Sequence, residues 1–140
     1  DAAGWFGQAP PDLSLMARAK STDYVYTFLK SFYIDSSSPT GVDNSILAGT
    51  SMPNVLWELQ GHQEYINDES GSGRLEIAIP GKMSEEDFNS FLRDTVNFLE
   101  YISEPIKNER QALGVKVLIF LAFFLVLAYL LKKEIWKEVK

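Results

Sequence analysis

Twenty residues, Ala112 to Leu131, read ALGVKVLIFLAFFLVLAYLL and carry a single charge, Lys116. As a helix rising ~1.5 Å per residue, such a run spans the ~30 Å hydrocarbon core of a bilayer. Lys116 lies near the N-terminal end, where its stem can snorkel to the headgroups. Tyr129 and Trp136 suit the far interface. The other reading is a buried core helix. That would need a domain able to cover Phe120, Phe123 and Phe124 on all sides, and 140 residues leave room for one domain plus an appendage. The expected division is an outer domain over 1–105, a lead-in and transmembrane helix over 106–131, and a tail over 132–140.

Charge follows the same division. Residues 1–105 hold 16 acidic and 6 basic residues, a net −10; residues 106–140 hold 3 and 7, a net +4. The lysine-rich tail after the span is a cytoplasmic-type flank under the positive-inside rule. The expected orientation puts the tail in the cytoplasm and the acidic domain outside. An acidic domain at a membrane surface can steer a basic soluble partner, or its charge can serve solubility alone. The chain has no cysteine, so no disulfide framework is available and redox compartment cannot be read from it. Asp1-Ala2-Ala3-Gly4 reads as the interior of a longer protein or a processed start.

Residues 1–11 are rich in Gly and Pro and read as loop. Asp12 or Ser14 can cap a first helix with Leu13, Met16 and Ala17 on one side and Arg18 and Lys20 at its end. Asp23 is the expected cap of a second helix over Tyr24–Tyr33, with Tyr24, Phe28, Leu29 and Phe32 along one face. Residues 34–53 read as a long irregular loop, and Asn54–Gln60 as a short apolar helix or turn. Gln63–Ile66 and Arg74–Ile79 flank a Gly- and Ser-rich turn and predict a hairpin. Ser84-Glu85-Glu86-Asp87 caps an amphipathic helix carrying Phe88, Phe91, Leu92, Thr95, Val96, Leu99 and Ile102. Met83 is placed to staple onto Phe88. Glu104-Pro105 interrupts before the apolar run.

The chemistry on offer is narrow. His62 is the one histidine; flanked by Gln60-Gly61 and Gln63, it reads as an exposed loop residue. An enzyme built on it would lose all activity in His62→Ala. The acidic groups Asp68-Glu69 and Glu85-Glu86-Asp87 lack EF-hand spacing and fit a turn and a helix start. No dinucleotide or phosphate loop is present, and no basic patch interleaved with aromatics points to nucleic acid. Met16 falls on a helix face with Leu13. Met52 alone sits in an irregular polar loop, Gly49-Thr50-Ser51-Met52-Pro53. It is either a soft ligand offered to a metal centre or a flexible gap-filler.

Ala9-Pro10-Pro11-Asp12-Leu13-Ser14, then Arg18-Ala19-Lys20 and Asp23-Tyr24-Val25, resembles the PPDLS…RAR…DYV block of the cytochrome c1 family, and the order of the segments that follow resembles that family too. Pro39-Thr40-Gly41-Val42 resembles its PPTGV turn. Ser51-Met52-Pro53 followed by Val55-Leu56-Trp57-Glu58-Leu59-Gln60-Gly61 is similar to the methionine-ligand segment of the proteobacterial members. Phe98 to Pro105, Arg110 and Leu113-Gly114-Val115-Lys116 are similar to the approach to the family's single C-terminal membrane helix. The matches are collinear over essentially the whole chain.

The resemblance implies a mainly α c-type cytochrome domain with a small β-hairpin, anchored by one C-terminal transmembrane helix. It implies an electron-transfer subunit of a dimeric cytochrome bc1 complex, a quinol–cytochrome c oxidoreductase, in a bacterial inner membrane with its domain in the periplasm. Electrons would come from the Rieske iron–sulfur protein, pass through haem c and leave to a soluble cytochrome c, with cytochrome b beside the span. By matching position Met52 would be the axial ligand of the haem iron. Pro10, Pro11, Met16, Tyr24, Phe28 and Leu29 would line the pocket, and Arg18, Lys20 and Tyr24 would lie near the propionates. The family commonly has arginine where Lys20 stands, and lysine lacks the bidentate fork. The family's CxxCH attachment motif, N-terminal to the PPDLS block, is absent. The chain is therefore expected to be the C-terminal part of a longer subunit, a fragment or one piece of a split protein. An aromatic often precedes the ligand loop in the family; here Asn44-Ser45-Ile46-Leu47-Ala48 intervenes, and Ile46 or Leu47 would fill the pocket. The alternative is a haem-free, single-pass membrane protein whose acidic outer domain binds a partner.

Overall fold

The computed structural model describes residues 4, 9–67 and 73–137. The chain forms two compact units, residues 1–103 and 104–140. The first holds, in order, α1 (Met16–Lys20), α2 (Thr22–Lys30), β1 (Phe32–Ile34), β2 (Val42–Asn44), α3 (Trp57–Gln60), β3 (Gly61–Asn67), β4 (Gly73–Pro80) and α4 (Glu85–Ser103). The second holds α5 (Lys107–Ile135). The architecture is mainly α, with two small antiparallel pairs and one long C-terminal apolar helix. The expected Gly- and Pro-rich start up to residue 8, the turn over 68–72 and the last three tail residues lie outside the described residues.

α1 is about one turn and a half and has no side-chain cap, because Leu15 stands at the cap position; Asp12 accepts instead from the Ser14 amide at 2.8 Å and hydroxyl at 2.7 Å. Ser21 carries the reversal into α2. It sits at φ +77°, a region L residues resist, and its hydroxyl accepts from the Tyr24 amide at 3.3 Å. The cap is therefore Ser21 and not Asp23. The helix also stops earlier than its apolar face suggests. Phe32 and Tyr33 leave it for β1, and β1 pairs with β2 in the register Phe32↔Asn44, Tyr33↔Asp43, Ile34↔Val42. Asp35 holds the connecting turn: its carboxylate accepts from the Ser37 amide and hydroxyl, and its amide donates to the Gly41 carbonyl. So the start of the expected irregular loop is an ordered hairpin.

Gly61 joins α3 directly to β3 at φ +100°, and a side chain there would run into the Ile79 carbonyl. The expected hairpin forms as β3 and β4, paired antiparallel from Gly61↔Pro80 to Asn67↔Gly73, with a bulge between His62 and Gln63. Ser84 caps α4: its hydroxyl accepts from the Asp87 amide at 3.2 Å and donates to the Asp87 carboxylate at 2.7 Å. Met83 and Phe88 line one cleft with Tyr26, Leu75 and Ile77, the neighbourhood a staple requires.

The core of this unit sits where α1 and α2 pack on α4, with β1 packed beside β3. Its buried apolar side chains are Ala17, Val25, Phe32, Phe88, Leu92 and Val96. The last three follow the i, i+4, i+8 spacing of one helical face. Polar ties close the packing. Gln63 donates to the Lys30 and Phe32 carbonyls at 2.8 Å each, and Gln60 donates to Lys30 at 3.0 Å, so carbonyls at the end of α2 are satisfied. Tyr26 donates to Asn89 of α4 at 3.0 Å.

In the second unit, α5 runs 29 residues, about 43 Å at the usual rise. It is long and apolar enough to cross a membrane by length and composition. Lys132 and Lys133 occupy its last turn, where positive charge suits the helix dipole.

Candidate functional site

The loop from Ser45 to Pro53 is built on two buried side chains at the end of β2. Asn44, fully buried, donates through Nδ2 to the Phe28 carbonyl at 2.7 Å. Its Oδ1 accepts from the amides of Ile46 at 2.9 Å and Leu47 at 3.3 Å. One residue thus ties α2 to the loop. Asp43, also buried, accepts through Oδ1 from the amides of Asn44 and Gly49 at 2.8 Å and Thr50 at 3.3 Å. Thr50 is buried, and its hydroxyl accepts from the Met52 amide at 3.4 Å. Buried Asn54 accepts from the Leu56 amide at 3.1 Å on the other side. Met52 is half-buried between these anchors. An irregular loop read from the sequence is in fact a compact, side-chain-braced segment.

The aromatics of α2 form a ladder on the flank that Asn44 reaches. Tyr24 stacks on Phe28 with centroids 6.1 Å apart, and Phe28 meets Phe32 edge-on at 5.2 Å. Lys20 holds its ammonium 5.8 Å from the centre of the Tyr24 ring. Tyr24, Phe28, Leu29 and Met16 are half-buried; Pro10, Pro11, Arg18 and Lys20 are exposed. Leu13, Leu15, Ile46 and Leu47 are also exposed, each 43 to 60% accessible. Of the residues singled out in the sequence, the geometry joins Lys20, Tyr24 and Phe28 to one another, and Asn44 ties the Phe28 backbone to the loop of Met52.

The phenol of Tyr33 points at Asp43 Oδ2 from 3.5 Å. Burial raises its pKa above the ordinary tyrosine value, with the charges of Asp43 and Asp35 adding to the shift. His62 is not the exposed loop residue its neighbours suggested. It lies in β3, half-buried, stacked on Trp57 at 5.2 Å, and its Nδ1 is buried with no hydrogen-bond partner. No acid therefore orients its ring through that nitrogen, as a general base requires. Among the described residues no three His, Cys, Asp or Glu side chains converge on a metal site. The thioether of Met52, in the braced loop, is a soft donor with no proton to lose.

Asp43, Asn44, Thr50 and Asn54 were not singled out in the sequence. Their signal was present: Asp, Asn and Thr close to glycines, in a loop too polar to be held by burial.

The family described as "Cytochrome C1 family" matches residues 2–139. The chain is 46% identical to cytochrome c1 of Allochromatium vinosum, over 99% of this chain and 60% of that protein. It is 45% identical to a protein named ammonia monooxygenase gamma subunit in Nitrosomonas europaea, over 99% of this chain and 58% of that one. It is 29% identical to cytochrome c1 of Rhodospirillum rubrum, over 96% and 52%. The chain belongs to the cytochrome c1 family. It spans between about half and 60% of the length of these relatives.

A c-type haem, which the family implies, fits this donor set in part. The Met52 thioether is a soft sulfur donor, α2 offers a half-buried aromatic flank, and apolar side chains such as Ile46 and Leu47 stay exposed. The thiols for covalent attachment are not among these 140 residues.

Proposed function

We propose that this chain is the C-terminal part of the haem-bearing electron-transfer subunit of a cytochrome bc1 complex. The observation that carries this reading is the Met52 thioether, held half-buried by a hydrogen-bonded loop in a member of the cytochrome c1 family. Haem c bound there supplies reversible one-electron chemistry. Met52 would hold the iron through its sulfur, and thioether ligation would favour the ferrous state and raise the potential. Tyr24, Phe28, Leu29 and Met16 exclude water, and Pro10 and Pro11 close the pocket wall. Arg18 and Lys20 offer positive charge to the propionates. None of these residues makes or breaks a substrate bond; that chemistry belongs to the whole quinol–cytochrome c reductase.

The attachment cysteines and a histidine ligand would come, on this reading, from a segment outside these 140 residues. Residues 1–105 form the periplasmic domain, 106–131 the lead-in and membrane helix beside cytochrome b, and 132–140 a cytoplasmic tail. The Rieske protein delivers electrons and a soluble cytochrome c removes them, drawn by the net −10 of the outer domain. In the holoprotein, Met52→Leu removes the thioether-to-iron absorption band and lowers the midpoint potential. An unchanged band and potential would show that the iron takes its sixth ligand elsewhere.

A further inference from the structure

The segment that carries Met52 has no apolar anchor of its own. Ser45, Ile46, Leu47, Ala48 and Gly49 are all exposed. Burial of these side chains therefore cannot fix its shape, and the polar ties decide it. Those nearest Met52 converge on one carboxylate. Asp43 Oδ1 accepts from Gly49 and Thr50, and the Thr50 hydroxyl passes the constraint to the Met52 amide. A carboxylate suits this role because one oxygen can accept several amides, and its charge strengthens each bond. Asn44 braces a different part of the loop, the amides of Ile46 and Leu47.

We infer that Asp43 is a positioning residue for the Met52 sulfur: through Thr50 it fixes where the thioether can reach and so sets the strength of the bond to iron. The inference rests on the proposed ligand role of Met52. A methionine has three rotors and binds weakly. A loop free to move would let the sulfur leave and water or another ligand compete, and the loss of sulfur ligation lowers the potential.

The test uses the full-length holoprotein and four variants: Asp43→Ala, Asp43→Asn, Thr50→Val and Met52→Leu. Three quantities are read: amide hydrogen exchange at Gly49, Thr50 and Met52, the thioether-to-iron band, and the midpoint potential. Asp43→Ala is expected to speed exchange at Gly49 and Thr50 about tenfold, the ratio that accompanies loss of about 1.4 kcal/mol of protection. It should also weaken the band and lower the potential. Asp43→Asn, which keeps an acceptor oxygen, should restore all three towards wild type. Thr50→Val should speed exchange at Met52 and lower the potential while leaving Gly49 protected. If Asp43→Ala does not fold, Thr50→Val and Asp43→Asn carry the test, and an unchanged potential in Thr50→Val overturns the inference. Faster exchange with an unchanged band and potential also overturns it, because Asp43 would then brace the loop without reaching the iron. Asp43→Asn behaving like Asp43→Ala overturns the acceptor account. An unchanged band in Met52→Leu removes the ligand reading itself, and the inference with it.

Discussion

Replacing Asn44 by alanine removes three hydrogen bonds from a side chain with no exposed surface. Two of them are the acceptor bonds to the amides of Ile46 and Leu47, at 2.9 and 3.3 Å. The third is the donor bond to the Phe28 carbonyl at 2.7 Å. Each is worth about 1 kcal/mol net, so their sum is about 3 kcal/mol. Two features lower the figure. Ile46 and Leu47 are exposed, so water can reach their amides. The Phe28 carbonyl keeps the Ser31 amide at 3.2 Å. One feature raises it, since a cavity replaces the carboxamide. The expected loss is about 2–3 kcal/mol, large against a typical domain stability of 5–15. It is measured by urea unfolding of the full chain in detergent, followed through tryptophan fluorescence in a Trp5→Phe, Trp136→Phe background that leaves Trp57 as the reporter. Asn97→Ala, an exposed change on α4, is the control and should stay within about 0.5 kcal/mol of wild type. A loss below about 0.5 kcal/mol in Asn44→Ala would refute the claim that this side chain organises the loop.

Two further perturbations test other parts of the fold. Gly61→Ala should cost at least about 2 kcal/mol in the same assay, because φ +100° and the Ile79 carbonyl both oppose a Cβ; a neutral result would mean α3 does not pass directly into β3. The raised pKa of Tyr33 means the folded unit holds the phenol proton more tightly than the unfolded chain. Its contribution is complete below the ordinary tyrosine value near 10 and is lost as pH rises through the higher folded value. The groups facing it are Asp43, Asp35 and Tyr65. Tyr33→Phe should therefore flatten the decline in stability at alkaline pH, measured as denaturation midpoints from neutral to strongly alkaline buffer, and an identical decline in both proteins would contradict the assignment.

What the sequence made legible was set by how long each pattern persists. The apolar run of α5 is long enough that length alone identifies it. In α4 the spacing of Phe88, Leu92 and Val96 repeats over three turns, and all three are buried. In β4 the alternation gave the strand but not its burial: Leu75 is half-buried, while Ile77 and Ile79 stay largely exposed. β1 and β2 are three residues each, too short for a period-two signal, and Phe32 and Tyr33 continue the helical face of α2 by accident of spacing. Ser21 and Asp23 are both good caps two residues apart, and only the backbone reversal at Ser21 selects between them. His62 was misplaced because Gln60-Gly61 reads as loop, whereas Gly61 turns the chain straight into a strand.

Met52 was legible as a candidate, but its support was not, and the reason is physical. Apolar contacts repeat along an element and leave a period; a carboxylate that gathers amides from one, six and seven residues ahead leaves none. Among the described residues the buried polar side chains Ser31, Asp43, Asn44, Thr50, Asn54, Gln60, Gln63 and Ser103 outnumber the six buried apolar ones. A unit held this way gains specificity more than bulk stability. Each buried polar group costs little when paired and about 1–3 kcal/mol when misplaced, so alternative loop shapes are penalised strongly. That is the property the proposed ligand role would require: the sulfur of Met52 would have to stay in one position while Ile46 and Leu47 in the same loop remain exposed.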